Sequence, residues 1–584
     1  MACGQMADHS TGELDGPGVA GDARSPGVHP PETALADGDP LIGKGDLRPL
    51  LILLAVCAFL FFFRLGDRPL WDVDEGMHAA TSKDMVLTGD WITPRVNGVP
   101  FFDKPALFNW LVALSFSALG YTEFAARLPA AVLGLATVLV TYMIGKRFFG
   151  SRAGLMGGVV LATAPEMVVL SRIVVHDIAL AFFITLALHF FYSGFRSPHR
   201  RRTHLLMSYA AAGFAVLAKG PIGMLLPAGI IGLFLLARGK LDFLKEMSLG
   251  WGTLVFLLIS APWYVLISLR NPGYASDFFL RNNFLNFLSK AKARHPRPFH
   301  YYFMVLLGGM FPWSFFIPVS LLRPLARGLR KADAGAVFLT AWFLVIFLFF
   351  SVASSKLGSY ILPALPAVAL LVGKFWHDLA TSPDPCLRRG AAVSFGPLPA
   401  ILLAITLYVV LVHPPVPLKM KMYGVNLSHL NLVLMLLGGI LTTGFLLLLS
   451  GRAVAAFGSL AATVPVVLLT FILVLAPLMN PYQSTKGLAL EMDRILPPGK
   501  RLLFYRKLWD SALFYTDRRA DVLRDEGELM ARIPPDRRIL CVMERGDYQR
   551  MEPRLARSRI LEEEGQKVLV SIGPGPESDR GRER

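Results

Sequence analysis

The chain has 584 residues, of which 54% are hydrophobic and only 17% charged, and the apolar residues come in blocks. That is too oily for a soluble protein of this length and points to a chain that crosses a membrane many times. A formal net charge of +17 would suggest a nucleic-acid partner in a soluble chain, but the basic residues here sit in short loops between apolar blocks, so membrane topology accounts for them instead.

Residues 1–46 are rich in Gly, Pro, Asp, Ser and Ala and almost without large apolar side chains. They cannot bury a core and are predicted to form a disordered cytoplasmic tail. No cleavable signal peptide is read there, so the first span is expected to serve as an uncleaved anchor. A bilayer crossing takes ~20 apolar residues as a helix, and by that yardstick there are about thirteen transmembrane helices. They are predicted at 48–65, 127–146, 153–171, 177–195, 204–218, 221–237, 249–269, 301–322, 335–352, 360–376, 391–412, 430–449 and 453–477. Gly and Pro interrupt several of them, as membrane helices tolerate when neighbours satisfy the freed backbone groups. The basic loops 145–152, 196–202, 237–240, 323–331 and 386–390 alternate with loops poor in Lys and Arg. With the N-terminus cytoplasmic, all five fall inside. Residues 66–126, 271–300, 353–360, 413–429 and the C-terminal region then lie outside.

The first external stretch opens with "WDVDEGMHAATSKDMVLTGDW" (71–91), which holds three acids in four positions, Asp72, Asp74 and Glu75. Asp74 near the start and Gly89 just past the end suit a short helix. "PALFNWLVALSFSALG" (105–120) is apolar on most faces but short, and reads as an interfacial helix with Trp110 near the headgroups. Residues 47–479 are thus expected to form the transmembrane domain, with external loops 66–126 and 271–300. Residues 480–584 change character. "GKRLLFYR" and "RRILCVME" read as buried strands, "TKGLALEMDRIL" and "SALFYT" as helices. Together they predict a small external α/β domain ending in a polar tail from about residue 573. The four cysteines, Cys3, Cys57, Cys386 and Cys541, fall in different compartments, and no disulfide is expected.

Acids and bases gather at the external mouth from several loops. "NGVPFFDKPALFNW" (97–110) carries Asp103 and Lys104, and "LSRIVVHDIALAFF" (170–183) carries Arg172, His176 and Asp177. "AVLAKGPIGMLLP" (215–227) carries Lys219. Residues 282–302 add Lys290, Lys292, Arg294, His295 and Arg297, and "SVASSKLGSYILPALP" (351–366) adds Lys356 and Tyr360. Charged groups at a bilayer boundary are costly unless they line a cavity or bind something. Each residue has a plain structural reading: Asp74 and Asp177 as helix caps, Lys104 and Lys219 as snorkelling chains, Tyr360 as an interface aromatic, His295 as a loop residue. Taken together they suit group transfer from a lipid phosphate. Lys and Arg hold the phosphate, and a carboxylate removes the proton of an attacking hydroxyl. No P-loop, dinucleotide fingerprint or HExxH is present.

Several stretches, in order through residues 64–375, resemble the GT-C membrane glycosyltransferases, most of all the bacterial lipid A aminoarabinose transferases and the related protein O-mannosyltransferases. They are "DE" at 74–75, "TGDWITPRVNGVPFFDKPALFNWL" (88–111), "FAARLPAAVLGLATVLVTYMIGKRFFG" (124–150), "SRIVVHDIALAFF", "LAKGPIGMLLP", "PFHYYFMVLLGGMFPWSFFIP" (298–318) and "FFSVASSKLGSYILPALPAVALL" (349–371). The resemblance implies GT-C architecture and an integral membrane glycosyltransferase of the bacterial inner membrane. Its site would lie on the periplasmic face, and the polyprenyl-phosphate-linked sugar donor would be displaced directly, with inversion. The implied acceptor is lipid A, another glycolipid or a protein Ser/Thr, in contact with membrane lipids and without nucleic acid.

Residue by residue, the resemblance implies that Asp74 is the essential acid of the first external loop, with Glu75 beside it, and that Asp177 is a second acid facing the same cavity. Lys104 and Lys219 match lysines at the carrier phosphate, and Lys356 with Tyr360 falls in the segment written here "SKLGSYILP". Asp103 stands where the aminoarabinose transferase has a Glu proposed to help hold a metal, so a divalent ion is a possible cofactor, with Asp103 and His295 as candidates. The sequence departs from the pattern at "NNFLNF" (282–287), where Asn283 and Asn286 replace a His and an Arg, leaving Arg297 or Arg294 to supply that cation. The alternative is a lipid or sugar-carrier transporter, which would show charges near the midplane and related halves. No internal repeat is visible.

Overall fold

Inside a bilayer the backbone can satisfy its polar groups only within a helix or a closed barrel, and each apolar block falls on helix. The computed structural model describes residues 44–279, 295–326, 333–382, 384–415, 421, 423–534, 538–555 and 557–573. The expectations for residues 1–43, for "NNFLNF", Lys290, Lys292 and Arg294, and for the tail from 574 lie outside them.

The first helix, α1 (Leu47–Cys57), runs on through a π-helical turn to Phe62. The loop region holds α2 (Asp74–Thr88), a two-stranded hairpin of β1 (Arg95–Val96) and β2 (Val99–Pro100), and α3 (Leu107–Leu119). Then come α4 (Glu123–Phe149), α5 (Ser151–Ala162), α6 (Pro165–Leu170), α7 (Asp177–Arg196), α8 (Arg201–Lys219), α9 (Ile222–Arg238) and α10 (Leu249–Arg270). The second half of the bundle follows as α11 (Tyr301–Gly309), α12 (Ile317–Ala326), α13 (Ala334–Val352), α14 (Leu365–Thr381), α15 (Pro385–Phe395), α16 (Pro397–Val412), α17 (Leu427–Leu449), α18 (Ala453–Thr470) and α19 (Ala476–Gln483).

Among the described residues, eight helices are long and apolar enough to cross a membrane, or nine if one bent pair counts as a single span. The other predicted spans fall on shorter or less apolar helices. Two that were predicted as single spans are broken. The segment 153–171 divides into α5 and α6 ahead of Pro165, whose ring disfavours helical backbone in the residue before it. The segment 301–322 turns by 117° between Tyr301–Gly309 and Trp313–Arg323, where Pro312 removes a backbone donor.

Small residues bring the bundle's backbones together. A Cβ on Gly373 of α14 would lie 2.3 Å from the Gly157 nitrogen of α5. At one end of the bundle, Tyr142 of α4 donates to Asp46 just ahead of α1 at 2.7 Å. At the other, Arg127 of α4 donates to the carbonyls of Leu65, Arg68 and Pro69 just after α1. So α1 and α4 are antiparallel neighbours. The basic loop 145–152 lies at the N-terminal end of α1, and the acidic loop at the opposite end.

The C-terminal domain comprises α20 (Lys486–Ile495), β3 (Leu502–Tyr505), α21 (Ser511–Tyr515), β4 (Ala520–Leu523), α22 (Glu526–Arg532), β5 (Ile539–Glu544), α23 (Arg545–Met551), β6 (Ser558–Glu564) and β7 (Lys567–Ile572). Its sheet has the order β4-β3-β5-β7-β6, with β3 parallel to β4 and β5, and β7 antiparallel to β5 and β6. The predicted strands at 502–505 and 539–544 and the helices at 486–495 and 511–515 are present.

This domain is bolted onto α2. Gly76 lets α21 approach so closely that a Cβ there would lie 2.6 Å from the Ser511 nitrogen. Lys83 donates to the Phe514 carbonyl at 2.7 Å, and Asn97 exchanges two 2.8 Å hydrogen bonds with the backbone of Ala520 at the sheet edge. Asp72 accepts from the Ser511 backbone at 2.7 Å and from its hydroxyl at 2.8 Å. Replacing Asp72 by Ala orphans the Ser511 N–H, while the Ser511 hydroxyl keeps the Thr485 hydroxyl as a partner at 2.6 Å. The cost is expected at ~1–3 kcal/mol, seen as a lower melting temperature and faster proteolysis of the C-terminal domain in detergent. An unchanged melt and digestion pattern would reduce the contact to a surface one.

Candidate active site

Three neighbouring acids part company in the structure. Asp72 precedes α2 and caps the C-terminal domain. Asp74 and Glu75 are the first residues of α2, about 100° apart around it, and so face different surroundings. Glu75 is 5% exposed and points away from the cavity. It is bound by Arg127 through two hydrogen bonds of 2.7 and 2.9 Å, accepts from the Trp71 backbone at 2.9 Å and meets Arg68 at 3.3 Å. Burial would raise its pKa, but Arg127 and Arg68 outweigh that and hold it below the usual carboxylate range. The expectation of a catalytic Glu75 is corrected: its carboxylate is buried against Arg127 and Arg68 and is not part of the cavity lining.

Asp74, in the first turn of α2, lines a cavity of about 230 Å³. Burial and the nearby charge of Asp177 push its carboxyl above the ordinary range, against the opposing pull of Lys104 and His295. The same cavity is lined by Asp103 and Lys104 from the turn before α3, Asp177 from the first turn of α7, Lys219 from the last turn of α8, and His295 and Tyr360. Asp177 opens α7. It is ion-paired with Lys219, whose ammonium lies 4.0 Å from the centre of the Tyr360 ring. Lys219 is 6% exposed, so it does not snorkel.

Two expected phosphate ligands lie elsewhere. The Arg297 guanidinium stacks 5.7 Å over the Tyr301 ring, exposed to solvent. Lys356 is 3% exposed, and its ammonium donates to the carbonyls of Ala353 and Arg297, which hold it out of the cavity lining. Asp103 and His295 both reach the cavity, but no group of three or more His, Cys, Asp or Glu side chains among the described residues is arranged to hold a metal.

The sequence reading missed His78. It lines the cavity one helical turn after Asp74, a spacing that puts both on one face. His176, read only as part of a charged span start, also lines it, as do Ser355 and Ser359 beside Tyr360.

Comparison with known proteins agrees with this arrangement. Residues 103–265 match the family profile described as dolichyl-phosphate-mannose-protein mannosyltransferase. The undecaprenyl phosphate-alpha-4-amino-4-deoxy-L-arabinose arabinosyl transferase of Aeromonas salmonicida is 31% identical over 330 residues, 55% of this chain and 59% of the relative. An uncharacterized protein of Aquifex aeolicus is 31% identical over 325 residues, 55% of this chain and 72% of its own length. The chain spans about three fifths of the length of the first curated relatives it matches. The crystal structure of ArnT from Cupriavidus metallidurans bound to undecaprenyl phosphate superposes with a TM-score of 0.74 at 25% identity, over 89% of this chain and 97% of that one.

The multi-pass helical bundle, the acid at the head of the first loop helix and these likenesses point to a class: the chain is similar to the membrane glycosyltransferases. Within the class, the resemblance runs to the undecaprenyl phosphate aminoarabinose arabinosyl transferases, in fold over 89% of the chain and in sequence over 55% of it.

Proposed function

We propose that the chain transfers a sugar from a polyprenyl phosphate to an acceptor on the periplasmic face of a bacterial inner membrane. One observation carries this reading. Two lysines and a carboxyl of raised pKa share a single cavity at helix ends on the side opposite the basic loops. Lys104 and Lys219 take the carrier phosphate, where an ammonium stabilises the charge that grows as the phosphate leaves. Asp177 and the Tyr360 ring position the Lys219 ammonium. Asp74 accepts the proton of the acceptor hydroxyl. The new bond forms between that oxygen and the anomeric carbon while the carbon–phosphate oxygen bond breaks on the opposite face, inverting configuration. Lipid A, another envelope glycolipid and protein Ser/Thr are the acceptor classes. A carrier flippase would place its ionisable groups near the midplane of two related halves. Here Asp74 and Asp177 open their helices and Lys219 closes its own.

The test is transfer by the detergent-purified protein from a panel of undecaprenyl-phosphate sugars, with lipid A and a Ser/Thr peptide as rival acceptors. Transfer to one of them is expected. Lys104→Ala is expected to raise the donor KM by about 10- to 100-fold, the worth of one charge-assisted hydrogen bond. No transfer from any donor to either acceptor would overturn the reading.

A further inference from the structure

Two imidazoles in the cavity have no work in the chemistry above. His176 is 1% exposed and His78 7%. Neither ring nitrogen of His176, nor Nδ1 of His78, has a hydrogen-bond partner among the described residues. The rings meet edge to face with centroids 4.4 Å apart, and Phe108 backs His176 at 5.1 Å. Both side chains line the cavity that holds Asp74, Lys104 and Lys219. Buried polar nitrogens are costly to leave unpaired and are nearly always satisfied. A bound ligand that supplies the missing partners accounts for their place in the cavity wall.

The chemistry of that ligand group follows from the charge state. Burial, and then the ammonium of Lys104, push His78 down to about 4. Burial, His78 and the two lysines hold His176 well below its ordinary value. Both rings are therefore neutral near pH 7. A neutral imidazole does not rival an ammonium for the phosphate. It offers one N–H donor and one bare nitrogen acceptor. A hydroxyl answers both, because it donates and accepts. An ammonium only donates, and so cannot answer an imidazole N–H.

We propose that His78 and His176 form the sugar subsite of the cavity and select an uncharged, hydroxylated sugar over an amino sugar. This rests on the transferase reading above. It sets the chain apart from relatives whose names carry 4-amino-4-deoxy-L-arabinose.

The experiment measures binding of three probes to the full-length protein in detergent: undecaprenyl phosphate, undecaprenyl phosphate-mannose and undecaprenyl phosphate-4-amino-4-deoxy-arabinose. The wild type is expected to bind the mannosyl probe more tightly than the amino-sugar probe. His176→Phe keeps the ring and removes its polar atoms. It is expected to weaken the mannosyl probe by about ten-fold, the worth of one or two hydrogen bonds, and leave bare undecaprenyl phosphate within about two-fold. His176→Gln, which keeps a donor and an acceptor, recovers part of the loss. Retained binding of the bare phosphate shows that the variant is folded. Should His176→Phe lose it, His78→Phe is read in the same way. Tighter binding of the amino sugar by wild type, or equal weakening of all three probes in the Phe variants, overturns the subsite. Failure of wild type to bind bare undecaprenyl phosphate overturns the transferase reading itself, a separate result.

Discussion

Asp74→Asn is expected to lower the turnover of sugar transfer by roughly a hundred- to ten-thousand-fold, the usual contribution of a positioned general base. The amide keeps the size and most of the polarity of the carboxyl, so the melting temperature should move little. The pH profile supplies a second reading. A base works ionised, and burial with Asp177 nearby raises its pKa above the ordinary carboxylate range. The rate should therefore climb with pH through that raised value and then level off. A flat acid limb would identify an acceptor already ionised, such as a phosphate, with Asp74 orienting it. Full activity in Asp74→Asn would leave the cavity without its base and sink the assigned role.

The second large effect concerns stability. Arg127→Leu should destabilise the protein by about 3–5 kcal/mol, because it strands a buried carboxylate. Arg127 is 1% exposed and Glu75 5%, so water cannot replace the lost partner. Pairing the change with Glu75→Leu should recover only the part owed to the stranded carboxylate, because the carbonyls of Leu65, Arg68 and Pro69 that Arg127 also serves stay unpaired. The Glu75 pKa is lowered in the folded state. Its contribution is then present above the unfolded value and is lost as pH falls through the depressed folded one. Wild-type melting temperatures should drop on acidification below about pH 4, and the double variant should lack that component. A single Arg127→Leu that melts like wild type would show the pair to be dispensable.

Most of the bundle was legible because a bilayer demands the same thing at every span: a run of apolar residues long enough to cross. The bends were not, since "APE" at 164–166 and "GGMFP" at 308–312 differ little from sequences that stay straight. In the C-terminal domain, β3 and β5 showed as buried apolar runs. The hairpin of β6 and β7 did not, because "RILEEEG" presents acids on an outer strand. The acid cluster misled for a different reason. Adjacent positions near a helix start point in different directions, and the partners that decide their roles are distant: Arg127 lies 52 residues from Glu75, and Ser511 lies 439 from Asp72. Lys104, Lys219, Asp177 and Tyr360 could be gathered from loop sidedness. Lys356 and Arg297 could not be told from them without knowing which carbonyls and rings lay nearby.

The clamp between Asp72 and Ser511 also orders events in time. A ribosome adds about 5–20 residues per second, so the 439 positions between the two correspond to roughly 20–90 s of synthesis. Throughout that interval the Asp74 helix has emerged without the domain that grips it. The C-terminal domain must reach the same side of the membrane before Asp72, Gly76 and Lys83 gain their contacts with Ser511 and Phe514.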